Sequence, residues 1–283
     1  MKKNKIGILF SDILGAGLTH DLFSRILNEF KNYCEQEGYI LFFLNSHPRY
    51  LVEHTFMDQV KAEGCDGIFI PNVNYEMPEV QAMFKSGIPI VTCDYKSEGA
   101  ISIVSDNVNG VKDLVNYVCN EKNHKKIAYI SGDPESEVSK VRLKTFTVAC
   151  EENGVHVRSE YIRQSRYRDI RDVTRKTEEL LNLPDPPTCI FFPDDYAAIG
   201  GINVIHNRGL EVPKDISYCG YDGVNLVGLW DPQLATVAQD TEVMGVTAAR
   251  ELIRLIENGE VGDGSEIVIP TKLQVGHTVR QVY

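Results

Sequence analysis

Aspartates that follow apolar stretches in the second half of the chain are the residues best suited to chemistry. Asp194 and Asp195 follow one such stretch, and Asp222 follows the next. Ionised carboxylates accept hydrogen bonds, whereas an arginine such as Arg142 donates through a planar fork. Together these groups suit a neutral ligand that carries many hydroxyl groups. The same aspartates could instead be helix N-caps and a turn residue, and the spacing alone leaves both interpretations open.

Other polar residues occupy the same position relative to apolar stretches. Ser11 and Asp12 follow the first stretch of the chain, Asp94 follows the fourth, and Asp106 and Asn107 follow the fifth. Ligands of open parallel sheets lie outside the carboxyl ends of the strands, so we expect these residues to face a ligand cleft. Such sites combine a few polar anchors with aromatic walls, although each aromatic residue could equally belong to the core. The candidate aromatic residues are Tyr95, Phe146, Tyr167 and Trp230.

No motif for cofactor, metal or covalent chemistry is evident in the sequence. Gly15 and Gly17 give two glycines of a dinucleotide-binding turn, but His20 stands where the third is needed. There is no phosphate-binding loop, no HExxH and no GxSxG, and the seven histidines are scattered. An acid/base pair would have to be Asp194 with Asp195, whose side chains should diverge at a helix start. The sequence therefore predicts no metal, no cofactor and no enzymatic activity.

Charge and composition exclude several further classes of function. The formal net charge is −11, so this chain lacks the excess of positive charge that binds nucleic acid or an anionic membrane. No apolar run approaches the roughly 20 residues that span a bilayer, and the N-terminus lacks a signal-peptide core. The seven cysteines are an odd number, widely spaced and without a CxxC pair. We therefore expect a cytoplasmic protein with reduced cysteines in its core.

The elements that must position these residues alternate between strands and helices. Gly38, Gly64 and Gly87 stand where the first helices should end, as left-handed caps prefer. Alternation of this kind predicts α/β architecture: two doubly wound, Rossmann-like parallel-sheet lobes with a ligand cleft between them. The predicted elements of the first alternating series are 5–10, 18–37, 39–44, 51–63, 67–71, 78–86, 89–93, 101–104 and 107–120. Those that follow are 126–131, 138–153, 161–163, 172–181, 189–192, 197–208, 216–221, 242–258, 266–269 and 272–275.

Motifs distributed over nearly the whole chain indicate a family. In this order and spacing they resemble the effector-binding region of LacI/GalR (lactose-repressor-type) transcriptional regulators, which has the type I periplasmic binding protein fold. The motifs are GCDGIFI at 64–70, GIPIVTCDY at 87–95, SDNVNG at 105–110, HKKIAYISG at 124–132, the element 142–146, DDYAAIG at 194–200, GLEVPKDISYCGYDG at 209–223 and PQLATVAQDTEVMG at 232–245.

The resemblance implies a site, a division into lobes and partners. It implies that a sugar lies between the lobes and that its hydroxyls bond to Asp94, Arg142, Asp194 and Asp222, with Asp194 standing where Asn is usual. It places the N-terminal lobe at 1–104 plus 241–267 and the C-terminal lobe at 105–240 plus 268–283. It further implies a homodimer that binds operator DNA only through an N-terminal helix-turn-helix domain, which is not in this chain, having been either removed or naturally missing.

The expected function is therefore that of a sugar-sensing, dimerising regulatory core. A mono- or disaccharide effector would bind in the cleft between the lobes and alter the affinity of the regulator for operator DNA. One alternative is a transport receptor that delivers a sugar to a permease, but the missing export signal and the seven cysteines disfavour it. A second alternative is an enzyme of the same fold that acts on a sugar.

Overall fold

The computed structural model describes residues 4–11, 17–225 and 231–283, so Asp12 and Trp230 lie outside the described residues. The chain divides into two compact units. Unit 1 comprises Met1–Ser105 and Asp240–Ile269, and unit 2 comprises Asp106–Gln239 and Pro270–Tyr283. We call the points where the chain passes between the units crossings. The first crossing follows Ser105, the second follows Gln239 and the third follows Ile269.

Unit 1 is built on a parallel six-stranded sheet with the order β11-β5-β4-β3-β1-β2. Its strands are β1 (Lys5–Phe10), β2 (Ile40–Phe43), β3 (Gly67–Asn72), β4 (Ile90–Cys93), β5 (Ile101–Ser105) and β11 (Glu266–Ile269). Its helices are α1 (Asp21–Gln36), α2 (Pro48–Leu51), α3 (Phe56–Glu63), α4 (Pro78–Met83) and α9 (Thr241–Asn258).

Both faces of this sheet are covered, as a near-continuous apolar strand requires. On β3, Phe69 faces the cluster formed with α1 and α9, where its ring stacks on Phe30 at 4.1 Å. Its neighbours Ile68 and Ile70 face the opposite cluster, which includes Phe56 of α3. Successive strand residues thus alternate between two cores, which is the doubly wound arrangement.

Unit 2 repeats the arrangement with the strand order β12-β10-β9-β8-β6-β7, in which β12 alone runs antiparallel to its neighbour. Its strands are β6 (Ile127–Ser131), β7 (Ile162–Gln164), β8 (Cys189–Phe191), β9 (Ser217–Asp222), β10 (Ala235–Gln239) and β12 (Thr271–Gln274). Its helices are α5 (Asn107–Asn116), α6 (Glu137–Glu152), α7 (Ile170–Leu181) and α8 (Asp195–Asn207). Helices α5 and α6 cover one face of the sheet, and α7 and α8 cover the other.

The predicted fold class is confirmed, one predicted element is wrong and one strand was missed. The helix predicted over 51–63 is two helices, because a capping box starts α3 anew at Thr55, whose Oγ1 accepts from Asp58 N at 3.1 Å while the Asp58 carboxylate accepts from Thr55 N. Strand β10 was not predicted, because Thr236 and Gln239 interrupt its apolar pattern. All three predicted helix-terminating glycines adopt a positive φ.

Candidate functional site

Helix α6 brings the guanidinium of Arg142 into the interior of unit 2. The buried face of this helix includes Ser139, Arg142 and Phe146, so a charged residue occupies a position at which helical spacing predicts an apolar one. Arg142 is only 4% exposed. Its Nε donates to Asn107 Oδ1 at 2.7 Å, and its guanidinium carbon lies 3.5 Å from the ring centre of Tyr221.

The guanidinium keeps donors that the described residues do not use. Within residues 4–11, 17–225 and 231–283, no acceptor lies within hydrogen-bonding distance of the two terminal nitrogens of Arg142, and no carboxylate forms an ion pair with it. Burial tends to lower the pKa of Arg142, but the ionisable groups of Tyr221, Tyr167 and Asp222 outweigh burial and raise the pKa above its ordinary value. A permanent buried cation therefore presents four N–H groups that a ligand could use.

Tyr167 forms an aromatic wall beside this cation. The ring centre lies 5.9 Å from the guanidinium carbon of Arg142, and the Tyr167 hydroxyl accepts a hydrogen bond from Ser139 Oγ at 2.9 Å. Gly132, directly after β6, leaves the room that the ring needs, since a Cβ there would lie 2.4 Å from Tyr167 Cζ. The wall is thus fixed from two sides by small residues.

Asp222 and Asp94 both end a parallel strand in a backbone conformation that side chains rarely adopt. Asp222, at the end of β9, has φ 106°, and Asp94, directly after β4, has φ 52°. Asp222 is 9% exposed and its Oδ1 accepts from Gln239 Nε2 at 2.7 Å, while Asp94 Oδ1 accepts from Ser105 N at 3.2 Å. Backbone strain of this kind persists where surrounding structure enforces it, and it is concentrated at binding sites.

The first of the two adjacent acids is the N-cap of α8. Asp194 Oδ1 accepts from Ala197 N at 2.8 Å, and its Oδ2 accepts from Arg168 N at 2.7 Å. Burial raises the pKa of Asp194, and the two backbone donors oppose that rise. The capping interpretation is therefore confirmed for Asp194. Its predicted contact with a ligand stays a prediction.

The second acid points in another direction and belongs to the core. Asp195 accepts from Thr236 Oγ1 at 2.7 Å and from Val224 N at 2.9 Å. Gly220 makes space for it, because a Cβ at that position would lie 2.1 Å from Asp195 Oδ1. Burial, reinforced by the negative charge of Asp222, raises the pKa of Asp195 well above its ordinary value. The expected divergence of the two adjacent carboxyl groups is thus observed.

The other predicted site residues have different positions. The side chain of Phe146 is 0% exposed and packs between Tyr129 and Phe191 at ring distances of 4.7 and 5.1 Å, and its predicted contact with a ligand stays a prediction. Phe146 supports the helix face that carries Arg142. Ser11 directly follows β1 and is half-buried, and its backbone N donates to Asn72 O at 2.9 Å.

Two residues of the site, Tyr221 and Gln239, were not predicted as ligand-site residues. Gln239 ends a strand just as the aspartates do, so the strand-end rule could have found it had β10 been assigned. Tyr221 precedes Asp222 at the end of an apolar strand. Sequence alone does not show whether an aromatic side chain there packs in the core or lines a binding site. Asn107, by contrast, is one of the polar residues predicted after the fifth apolar stretch, and it starts α5.

Two absences hold for the part of the chain that the structure describes. Among those residues, no group of three or more His, Cys, Asp or Glu side chains is arranged to hold a metal ion. None of the helices found there is both long enough and apolar enough to cross a membrane. The seven cysteines are free thiols, and six of them are buried.

Comparison with known proteins identifies the architecture. Residues 118–279, more than half of the chain, match the family described as periplasmic binding protein-like domain. The chain is 27% identical over 250 residues to the HTH-type transcriptional repressor CytR of Escherichia coli (strain K12), which covers 87% of this chain and 72% of that protein.

Solved structures agree with this match. A putative transcriptional regulator LacI from Bacillus cereus subsp. cytotoxis NVH 391-98 superposes with a TM-score of 0.88 at 23% identity, covering 100% of both chains. A LacI family transcriptional regulator from Enterococcus faecium with bound ribose superposes with a TM-score of 0.82 at 21% identity, covering 99% of this chain and 100% of that one. The chain belongs to the family of periplasmic binding protein-like domains, and the resemblance to LacI/GalR-type regulators that its sequence motifs predict is confirmed.

Proposed function

We propose that this chain is the sugar-sensing, dimerising regulatory core of a LacI-type transcriptional regulator. The observation that carries the proposal is the buried guanidinium of Arg142, whose terminal donors are unused within the described residues and which stacks on Tyr221. A sugar hydroxyl both accepts and donates a hydrogen bond. It can accept from Arg142 and donate to the carboxylate of Asp222, while the apolar face of the ring packs on Tyr167.

The relatives support a regulatory role and a carbohydrate ligand. CytR is named as a transcriptional repressor, and the Enterococcus faecium regulator was solved with ribose. We propose a mono- or disaccharide effector, bound without the making or breaking of any covalent bond. Effector binding would change the affinity of a homodimer for operator DNA, which a helix-turn-helix domain outside this chain would contact. The working compartment would be the cytoplasm.

We propose ligand contacts within each unit separately. In unit 2, Arg142 and Asp222 are the main anchors, Tyr167 is the wall and Asp194 is a further acceptor. In unit 1, Asp94 is proposed because it holds a strained conformation at a strand end. The remaining proposed contacts are Ser11, Asp12 and Trp230.

A ligand screen with a matched pair of variants tests the proposal. Thermal unfolding of the chain would be followed against monosaccharides, disaccharides, pentitols, sugar phosphates and nucleosides, and a ligand at 100 times its Kd should add about 2.7 kcal/mol of stability. Calorimetry would then compare Arg142→Gln with Arg171→Gln, which alters an exposed residue of α7. We expect binding to be lost only in Arg142→Gln. No stabilisation by any sugar, or equal affinity in both variants, would refute the proposal.

A further inference from the structure

Each of the three candidate anchors bonds to a residue beside a chain crossing. Arg142 Nε donates to Asn107, which is the second residue after the first crossing. Asp222 accepts from Gln239, which is the last residue before the second crossing. Asp94 accepts from the backbone N of Ser105, the last residue before the first crossing. The anchors are therefore linked to the very segments at which the chain changes unit.

The contact of Arg142 fixes the start of α5. Asn107 is buried, and Tyr221 Oη donates to the same Oδ1 atom at 3.5 Å. Its neighbour Asp106 caps the helix by accepting from Asn109 N at 2.9 Å, and the carbonyl of Asp106 accepts from Thr271 Oγ1 at 3.3 Å. The guanidinium is thus connected through a single side chain to the first turn of the helix that begins at the first crossing.

The contact of Asp222 fixes the end of β10. Gln239 is buried, and Ala238 beside it pairs in register with Asp222 across the β9–β10 ladder. The residue after the second crossing, Asp240, caps α9 by accepting from Val243 N at 3.0 Å. Asp222 therefore holds the strand that leads directly into α9, and it does so by a contact that is separate from the one at Asn107.

We propose that Asn107 and Gln239 are positioning residues that connect the effector anchors to the crossings. Asn107 connects Arg142 to the first crossing, and Gln239 connects Asp222 to the second. The inference rests on the proposed function, because a ligand held by both anchors would restrain both crossings at once. A hinge absorbs its changes in φ and ψ at such crossings. A ligand bound to both anchors would therefore restrict backbone motion at the crossings through these two contacts.

Amide hydrogen exchange of the chain without ligand tests the two connections separately. Arg142→Leu removes the donor to Asn107, and we expect the amides of Asn109 and Gly110 to exchange on the order of tenfold faster, as the loss of one charge-assisted hydrogen bond implies. Asp222→Gly removes the acceptor for Gln239, keeps the positive φ, and should accelerate the amides of Val243 and Met244 by a similar factor. Each variant should leave the other pair of amides unchanged.

Controls separate this connection from a general loss of stability. Thr145→Val changes another buried residue of α6 and should alter neither crossing. Asn107→Asp keeps an acceptor for Arg142 Nε and should behave like the natural chain, whereas Asn107→Leu should reproduce Arg142→Leu. Equal acceleration at both crossings in either anchor variant, or no acceleration in any variant, would overturn the inference. If Arg142→Leu fails to fold, the two Asn107 variants still test the connection to the first crossing.

D-ribose serves as the probe for the link to the proposed function. Excess D-ribose should slow exchange at both crossings of the natural chain, and in Asn107→Leu it should slow exchange only at the second. Protection confined to the second crossing in the natural chain would contradict the role of Asn107. If D-ribose and the other screened sugars leave exchange unchanged while the ligand-free pattern is as expected, the proposed function fails and the two connections stand.

Discussion

The guanidinium carbon of Arg142 lies 3.5 Å from the centre of the Tyr221 ring, and this stack holds a buried cation that forms no ion pair in the described part of the chain. The ring faces the cation with the negative side of its quadrupole. Gly110 leaves room for the ring, since a Cβ at that position would lie 2.9 Å from Tyr221 Oη. Tyr221 is therefore a structural support of the cation as much as a core residue.

Replacing this ring should weaken ligand binding through loss of the cation–π contact. In Tyr221→Leu we expect affinity for a sugar identified in the screen to fall about 30-fold, which corresponds to about 2 kcal/mol for a desolvated contact. Tyr221→Phe keeps the stacked ring and loses only the hydroxyl at 3.5 Å from Asn107, so its affinity should change less than threefold, or about 0.6 kcal/mol. Calorimetry measures both, and equal losses in the two variants would argue against the stack.

A substitution at Gly132 should displace the aromatic wall without touching the anchors. The new Cβ of Gly132→Ala would overlap the ring of Tyr167, which must then move away from Arg142. We expect affinity to fall roughly tenfold and stability to fall by about 1–3 kcal/mol, as overpacking usually costs. Gly7→Ala is the control, because its nearest contact would be an ordinary 3.6 Å. A Gly132→Ala chain with unchanged affinity would show that Tyr167 does not contact the ligand.

Strand ends were predictable from the sequence because they depend on local pattern. An apolar run that stops at an acid is visible in the chain, and Asp94 and Asp222 were placed correctly on that basis. The partner of Asp222 was not predictable, because Gln239 becomes its neighbour only through the pairing of β9 with β10. Contacts across a parallel ladder depend on strand order, which no local pattern encodes.

Adjacent residues of the same type illustrate the same limit. Asp194 bonds to a backbone N three residues away, so its role as a cap was open to prediction from the start of α8. Asp195 bonds to Thr236, 41 residues away, and is buried in a place that only the assembled sheet defines. The contact of Phe146 with Phe191 could not be predicted for a similar reason, since sequence cannot tell which face of α6 meets Phe191.

The buried His124 should make the chain less stable in mild acid. Its ring contacts Thr188 Oγ1 at 2.9 Å and the carbonyl of Arg280 at 3.1 Å, and burial lowers its pKa to about 4. An unfolded chain takes up a proton at this residue near its ordinary value of about 6.5. The neutral ring therefore contributes fully above that pH, and stability falls between about 6.5 and about 4 by at most about 3 kcal/mol.

Urea unfolding at about pH 7.5 and about pH 5 tests this dependence. His124→Gln cannot titrate and can still donate to the carbonyl of Arg280, so it should lose less stability on acidification than the natural chain. His156→Gln is the matched control, since this histidine is exposed, its ring bonds to Glu151, and its removal should leave the acid sensitivity intact. An identical acid response in all three proteins would assign the effect to other groups.

Asp195 should show the opposite dependence on pH. Burial raises its pKa, so the folded chain keeps the proton at pH values where an unfolded aspartate, with a pKa of about 3.9, has lost it. The contribution of this residue to stability is therefore greatest below about pH 4 and declines as the pH rises toward the folded-state pKa.

Asp195→Asn carries no charge, and its amide can accept from Val224 N and donate to Thr236 Oγ1. We expect this variant to be at least as stable as the natural chain at neutral pH, with unchanged sugar affinity. Asp195→Ala leaves both partners unsatisfied and should cost roughly 3 kcal/mol in urea unfolding. If Asp195→Asn were as unstable as Asp195→Ala, the folded chain would require an ionised carboxylate at this position.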